Sequence, residues 1–284
     1  MTPEREEAPE GVPGLVKPAE AREMGLGPEP PRATCPQCGR ELEARGVVVG
    51  GRVIWVSRER CRCAGSLAAA EQERQAELER EARARDERLS RCGIGRRFRT
   101  ALPSDAACTA FAMGYRHGSG NGLYIHGGVG TGKTYNAAGV ASVLLDRGER
   151  VVFTTSIELF SAIQGTFDGS SPAETASVKR RYLSCEALVL DDLGKESQSA
   201  WTLMTLFELL NARYEAMRAT IITSQYTMGE LERRLARRGE SETACAVVSR
   251  IRQTCEDVAL VGQDRRSPAG TPQGPSRSIY DGIP

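Results

Sequence analysis

Residues 127–134 read Gly-Gly-Val-Gly-Thr-Gly-Lys-Thr, and this stretch restricts the chain to a narrow set of folds. It fits G-x-x-x-x-G-K-[ST], and its flanks fit as well. The apolar "GLYIHG" before it reads as a strand, and "KTYNAAGVASVLL" after it reads as a helix. A strand must deliver such a loop and a helix must leave it, because the loop amides and the helix N-terminus together form an anion nest. Gly127, Gly128, Gly130 and Gly132 let those amides converge without Cβ clashes, with Val129 and Thr131 between them. Lys133 is expected to reach the β- and γ-phosphates of a nucleotide and Thr134 to ligate Mg²⁺. Tyr135 follows in the first helical turn and borders the same site.

"CEALVLDDLGKES" supplies a partner for the loop. The apolar run from Ala187 to Leu190 reads as a buried strand ending in Asp191 and Asp192. Asp191 is expected to hold Mg²⁺ through water, and Asp192 to orient and deprotonate an attacking water. A further strand, "ATIITS", delivers Thr223, Ser224 and Gln225, with Gln225 placed to contact the γ-phosphate or that water. No Asn is followed by Lys, so the guanine-reading Asn-Lys-x-Asp motif is missing. Little chain remains after the last strand to build a lid over a metabolite. ATP hydrolysis is therefore preferred to GTP switching or small-molecule phosphorylation, with a non-hydrolysing ATP-dependent adaptor as the alternative reading. Arg250, on a helix before the final strand, and Arg266, after that strand, suit the stabilisation of phosphoryl charge, although both also read as ordinary surface arginines.

From residue 94 to 266 short apolar runs alternate with helical periods, the pattern of a parallel sheet wrapped by helices. The expected class is an α/β P-loop NTPase. Residues 1–34, with seven of the fourteen prolines, and residues 267–284 read as flexible tails. Residues 35–65 surround "GVVVGGRVIWVS", a hairpin pattern with a Gly-Gly turn. Residues 66–93 are rich in Ala, Glu and Arg, with acid-first pairs four apart such as Glu79–Arg83, so they read as a solvated helical spacer or a coiled coil.

Cys35-Pro-Gln-Cys38 and, 22 residues on, Cys61-Arg-Cys63 form two short clips. Four thiolates in such turns suit a closed, structural, tetrahedral Zn²⁺ site; a reactive dithiol is the competing reading. The other five cysteines are scattered, and the odd total argues against a disulfide framework. A formal net charge of +1 excludes a global basic field, so nucleic-acid contact would need local patches such as Lys179-Arg180-Arg181 or Arg233-Arg234 with Arg237-Arg238. A solvated helix face is the alternative for both. The opening "MTPEREEAPE" has no apolar secretory core and no run approaches membrane-span length, so a soluble, cytoplasmic protein is expected.

Taken as a combination, "GLYIHGGVGTGKT", "ALVLDDLGKE", "TIITSQY", "SRIRQTCEDVALVGQDRR" and the "RRF" at Arg96–Phe98 resemble the AAA+ ATPases of the DnaC/DnaI-type replicative helicase loaders and the related IstB transposition helpers. The resemblance implies Walker A roles for Lys133 and Thr134, Walker B roles for Asp191 and Asp192, and a sensor role for Thr223-Ser224-Gln225. It places Arg250 as an arginine finger completing a neighbouring subunit's site, hence self-association through ATP. It places Arg266 at the end of Gly-x-Asp-x-Arg. Gln225 stands where the family has Asn, and Tyr135-Asn136 where it often has His-Leu, a difference expected to tune the rate. The usual helical lid of AAA+ proteins is nearly absent, as in these loaders. A zinc-binding N-terminal module that contacts the helicase also occurs among loaders, so the implied partners are a hexameric replicative helicase, through the N-terminal region, and single-stranded DNA.

Overall fold

The structure, a computed structural model, describes residues 15–167, 172–197, 199–238 and 241–264. The chain divides into two compact units, Met1–Ala82 and Arg83–Pro284.

In the first unit, a short helix α1 (Pro18–Glu23) precedes the hairpin β1 (Ala44–Val49) and β2 (Arg52–Arg58). The strands pair antiparallel with Val49 opposite Arg52, leaving Gly50-Gly51 as the turn. Both turn residues have positive φ, 58° and 75°, the geometry that matches the twist of a two-residue hairpin. The expectation of a flexible tail through residue 34 fails for residues 15–34. Val16 and Gly46 exchange two backbone hydrogen bonds (2.8 and 3.0 Å), and Ala21 is buried. The indole of Trp55 donates to the Pro28 carbonyl (3.0 Å), and Arg58 donates to the Pro31 carbonyl (2.9 Å). A proline-rich segment has little apolar area but many accessible carbonyls, and the hairpin's donors use them.

Helix α2 (Ala64–Cys92) crosses the division between the units. Leu67 and Leu78 are exposed, as a spacer requires, but Leu89 and Cys92 are buried. Arg85 also holds Asp146 through both carboxylate oxygens. The last turns of α2 thus belong to the second unit, which begins before residue 94. Their charged composition hid this, because Leu89 and Cys92, three residues apart on one face, are enough to dock the helix end.

The second unit continues with α3 (Ala106–Gly114), β3 (Gly122–His126), α4 (Lys133–Asp146), β4 (Val151–Thr155), α5 (Ser156–Gln164) and α6 (Pro172–Ser184). Then come β5 (Ala187–Leu193), α7 (Ala200–Glu215), β6 (Ala219–Ser224), α8 (Met228–Leu235), α9 (Ser241–Thr254) and β7 (Cys255–Ala259). All five expected strands form one parallel sheet, ordered β4-β5-β6-β3-β7. Successive strand residues serve opposite faces: Leu188, Leu190, Tyr124 and Ile222 join a core with α5, α7 and α9. Val189, Leu123, Ile125 and Ile221 join a second core with α4. Burial on both faces explains why the strands read as continuous apolar runs rather than alternating ones.

At the N-terminal ends of β5 and β6 the guanidinium of Arg213, 1% exposed, donates to the carbonyls of Tyr182 (2.7 Å), Cys185 (3.0 Å) and Ala219 (2.5 Å) and to Thr220 Oγ1 (3.1 Å). A buried charge is tolerated here because carbonyl dipoles surround it. Burial still holds its proton affinity below the ordinary arginine range.

Candidate nucleotide-binding and metal sites

The sheet topology brings three loops to one edge. β6 lies between β5 and β3, with Ser224 level with both Leu193 and His126, so residues separated by about a hundred positions meet at the strand ends. The phosphate loop sits there. Gly130 has φ +75°, and a Cβ on it would lie 1.7 Å from Asp264 Oδ1; one on Gly127 would lie 2.2 Å from the Leu260 carbonyl oxygen. These glycines therefore serve two needs, the turn itself and the close passage of the segment after β7.

Lys133 is 6% exposed and donates to the carbonyls of Gly127 (2.9 Å) and Gly128 (2.7 Å), spanning the loop. Thr131 Oγ1 also donates to the Gly128 carbonyl (3.0 Å). Thr134 Oγ1 donates to both oxygens of Asp191 (3.0 and 3.1 Å). Thr223 Oγ1 donates to Asp191 Oδ1 (2.6 Å) and accepts from the Asp192 amide (2.9 Å). One hydroxyl therefore ties β6 to both acids. Burial pushes the Asp191 carboxyl above its ordinary value, partly offset by hydrogen bonds from Thr223 and Thr134. The pairing register of β5 breaks between Leu190 and Leu193, and Asp192 adopts φ +60°. This left-handed residue turns the second carboxylate toward the cavity while the first stays beneath it; Asp is among the residues that tolerate the conformation.

A cavity of about 410 Å³ opens over these groups. Of the residues nominated from the sequence, Val129, Gly130, Gly132, Lys133, Thr134, Tyr135, Asp192 and Gln225 line it, whereas Gly127, Gly128, Thr131 and Asp191 do not. Arg97, Phe98 and Lys195 line it too. Arg97 and Phe98 lie in the "RRF" segment and Lys195 in "ALVLDDLGKE", both of which carried part of the resemblance, but none of the three had been given a role at the site. Lys195 Nζ pairs with Asp192 Oδ2 at 2.8 Å.

Other residues sit elsewhere. Arg250 lies on α9, where it stacks over Tyr214 (4.5 Å to the ring centroid) and donates to Asn211 (3.0 Å) and Gln253 (3.0 Å); it does not line the cavity. Arg266 is outside the described residues. Asn136, which the resemblance tied to rate, is a buried structural link. Its Oδ1 accepts from the amides of Ser104 (2.8 Å) and Asp105 (2.9 Å), and its Nδ2 donates to the Gly132 carbonyl (3.1 Å). Of the basic clusters, Lys179 pairs with Glu208 (3.3 Å) and Arg180 is exposed. Arg234 is committed to the fold: it stacks on Tyr226 (5.0 Å) and donates to the Gly194 carbonyl in the loop after Asp192.

In the first unit the four sulfurs of Cys35, Cys38, Cys61 and Cys63 all lie within 4.8 Å of one another. Cys35 and Cys63 are 3.9 Å apart and Cys38 and Cys61 3.5 Å, so the closest pairs cross between clips. A Zn–S bond of about 2.3 Å makes the edge of a ZnS₄ tetrahedron about 3.8 Å, which these spacings bracket. The arrangement fits a tetrahedral metal without backbone rearrangement. Amides assist it: that of Gln37, then that of Cys38, draw the Cys35 thiol down to about 7. Cys63 immediately precedes α2, and its sulfur accepts from the Ser66 amide (3.4 Å), as an N-cap residue does.

The strand order, the loop and the carboxylate pair define a P-loop ATP-binding protein of the AAA+ type. Residues 104–269 match the family of IstB-like ATP binding proteins, and the chain belongs to that family. It is 26% identical over 166 residues to the replicative helicase loader DnaI of Bacillus subtilis, covering 56% of this chain and 52% of that protein. It is 32% identical over 124 residues to a protein of Sinorhizobium fredii described as an insertion sequence ATP-binding protein, covering 40% of this chain and 37% of that one. The crystal structure of DnaI superposes with a TM-score of 0.53 at 25% identity, covering 60% of this chain and 95% of that chain. The chain thus spans about half the length, or less, of the curated relatives it matches. Among the described residues no helix is long and apolar enough to cross a membrane.

Proposed function

We propose that this chain hydrolyses ATP and uses its nucleotide state to place a ring helicase on single-stranded DNA. The observation that carries the reading is the hydrogen-bonded chain from Thr134 through the Asp191 carboxylate and the Thr223 hydroxyl to the Asp192 amide, whose two ends, Thr134 and Asp192, line the cavity. It presents one buried acid beside a hydroxyl, the oxygen pair a hard divalent cation takes, and a second acid facing the cavity. In this reading Thr134 and Asp191 hold Mg²⁺, which when bound neutralises charge on the transferred phosphoryl group. The amides of residues 127–134 and Lys133 grip the phosphates. Gln225 orients water, and Asp192 takes its proton as the water oxygen bonds to the terminal phosphorus and ADP departs. Arg250 does not line its own cavity, which leaves it to serve a neighbour's site in an assembly through bound ATP; Arg266 is proposed to contact phosphate from the segment after β7.

The Cys₄ cluster is proposed to hold structural zinc and to shape the N-terminal unit as the helicase-contacting module, with the exposed arginines near Arg180 and Arg233 meeting the DNA backbone. The proposed organisation is a zinc module, a helical connection and the ATPase unit. A cytoplasmic location goes with that role. A second reading, an ATPase that assists transposition, draws on the Sinorhizobium relative. The test is steady-state ATP turnover with and without single-stranded DNA, combined with capture of partners from the native host. Turnover with a captured helicase supports loading, and capture of a transposase with duplex DNA supports the second reading. Absence of turnover in both conditions would rule out both.

A further inference from the structure

Two ammonium groups line the nucleotide cavity, and only Lys133 belongs to the phosphate loop. Lys133 is held by the Gly127 and Gly128 carbonyls. Lys195, with a side chain 40% exposed, rests on Asp192 Oδ2 at 2.8 Å. The surroundings of this pair are asymmetric in mobility. Asp192 is pinned at both backbone ends: its amide donates to Thr223 and its carbonyl accepts from Ser156 Oγ (3.1 Å). The loop under Lys195 is braced as well. The buried carboxylate of Glu196 accepts from the Gly194 amide (2.9 Å) and from Ser156 Oγ (2.7 Å), and Arg234 holds the Gly194 carbonyl. What remains free to swing is the four-carbon stem of Lys195, and a half-exposed ion pair is weak enough to exchange.

We infer that Lys195 discriminates triphosphate from diphosphate: its ammonium rests on Asp192 and transfers to the terminal phosphate when one occupies the cavity. This rests on the ATPase reading in one respect, that Asp192 serves the attacking water. An ammonium on Oδ2 occupies one acceptor of the carboxylate, so Asp192 offers water more acceptor capacity once the richer anion draws Lys195 away. Lys195 is then a substrate-contacting residue that couples hydrolytic competence to the presence of the γ-phosphate.

The experiment uses the full chain. Binding of ADP and of a non-hydrolysable ATP analogue is measured by calorimetry with magnesium, for the native protein, Lys195→Gln and Lys195→Arg. Lys195→Gln is expected to weaken the analogue about tenfold while ADP stays within about twofold, the loss of one charge-assisted contact made only to the γ-phosphate. Lys195→Arg should recover most of the preference. In turnover, Lys195→Gln should raise KM about tenfold with kcat within about threefold. Equal loss for both nucleotides, loss for neither, or a fall in kcat at constant KM each overturns the inference. A native protein that shows the Lys195-dependent preference but never turns over ATP removes the ATPase reading and leaves the discrimination standing.

Discussion

The two compact units hold themselves together by different means. Among the described residues of the N-terminal unit the buried apolar side chains are Ala21, Cys35, Ala44 and Val53, while Val49, Ile54 and Val56 are more than half exposed. The second unit buries both faces of a five-stranded sheet. Four small or medium side chains cannot offset the conformational entropy of ordering such a module, whereas a double core can. The difference teaches where each unit must find its stability: in the metal proposed for its four sulfurs for the first, and in apolar layers closed by a buried arginine for the second.

Metal removal is the harshest way to break that comparison. Chelation, or Cys38→Ser, should unfold the N-terminal unit outright, since structural zinc contributes on the order of 10 kcal/mol to modules of this kind. Nucleotide binding by the second unit should survive. Hydrogen exchange read separately over residues 35–63 and 120–260 checks this, and equal protection of the first segment with and without metal would sink it. The second unit's counterpart is Arg213. Arg213→Met removes donors from at least three buried carbonyls and should destabilise that unit by about 3–5 kcal/mol in denaturant, with zinc content unchanged. Arg213→Lys should rescue little, because one ammonium cannot span the carbonyls of Tyr182 and Cys185, ahead of β5, together with that of Ala219 in β6.

A smaller effect separates stability from chemistry inside the second unit. Thr223→Val keeps the shape of β6 but cuts the hydroxyl link between Asp191 and Asp192. It should cost about 1–2 kcal/mol of stability and lower turnover by roughly 10–100-fold with nucleotide affinity nearly intact. Unchanged turnover would show that the link is structural only.

What was legible in the sequence follows the same division. The phosphate loop, Asp191, Asp192 and Gln225 could be nominated because each follows an apolar strand run, and a strand end in a parallel sheet is where a site forms. The cysteine clips were legible because their spacing is local. Lys195 was not, since a lysine after a turn reads as solvated until the loop's bracing by Glu196 and Arg234 is known. Arg213 was not, because its acceptors come from two distant segments, Tyr182 with Cys185 and Ala219 with Thr220. Residues 15–34 were misread because their order comes from carbonyls accepting donors on β2, which leaves no apolar pattern.

Asp191 gives the finest test, because there the site works against the core that holds it. Burial raises its carboxyl above the ordinary value, so the folded state holds the proton to higher pH than the unfolded chain does. Stability contributed by this group is therefore fully present below the unfolded-state value and declines as pH rises through the folded-state value. Asp191→Asn keeps an oxygen to accept from Thr134 and Thr223 but carries no charge to desolvate. Denaturation midpoints, measured without added magnesium, should favour Asp191→Asn at neutral pH, and the gap should close on acidification toward the ordinary carboxylate range. Magnesium-dependent turnover should be lost at every pH. A variant less stable than the native chain at neutral pH would mean that the two threonine hydroxyls more than offset the cost of burying the charge, and that this acid is no strain on the fold.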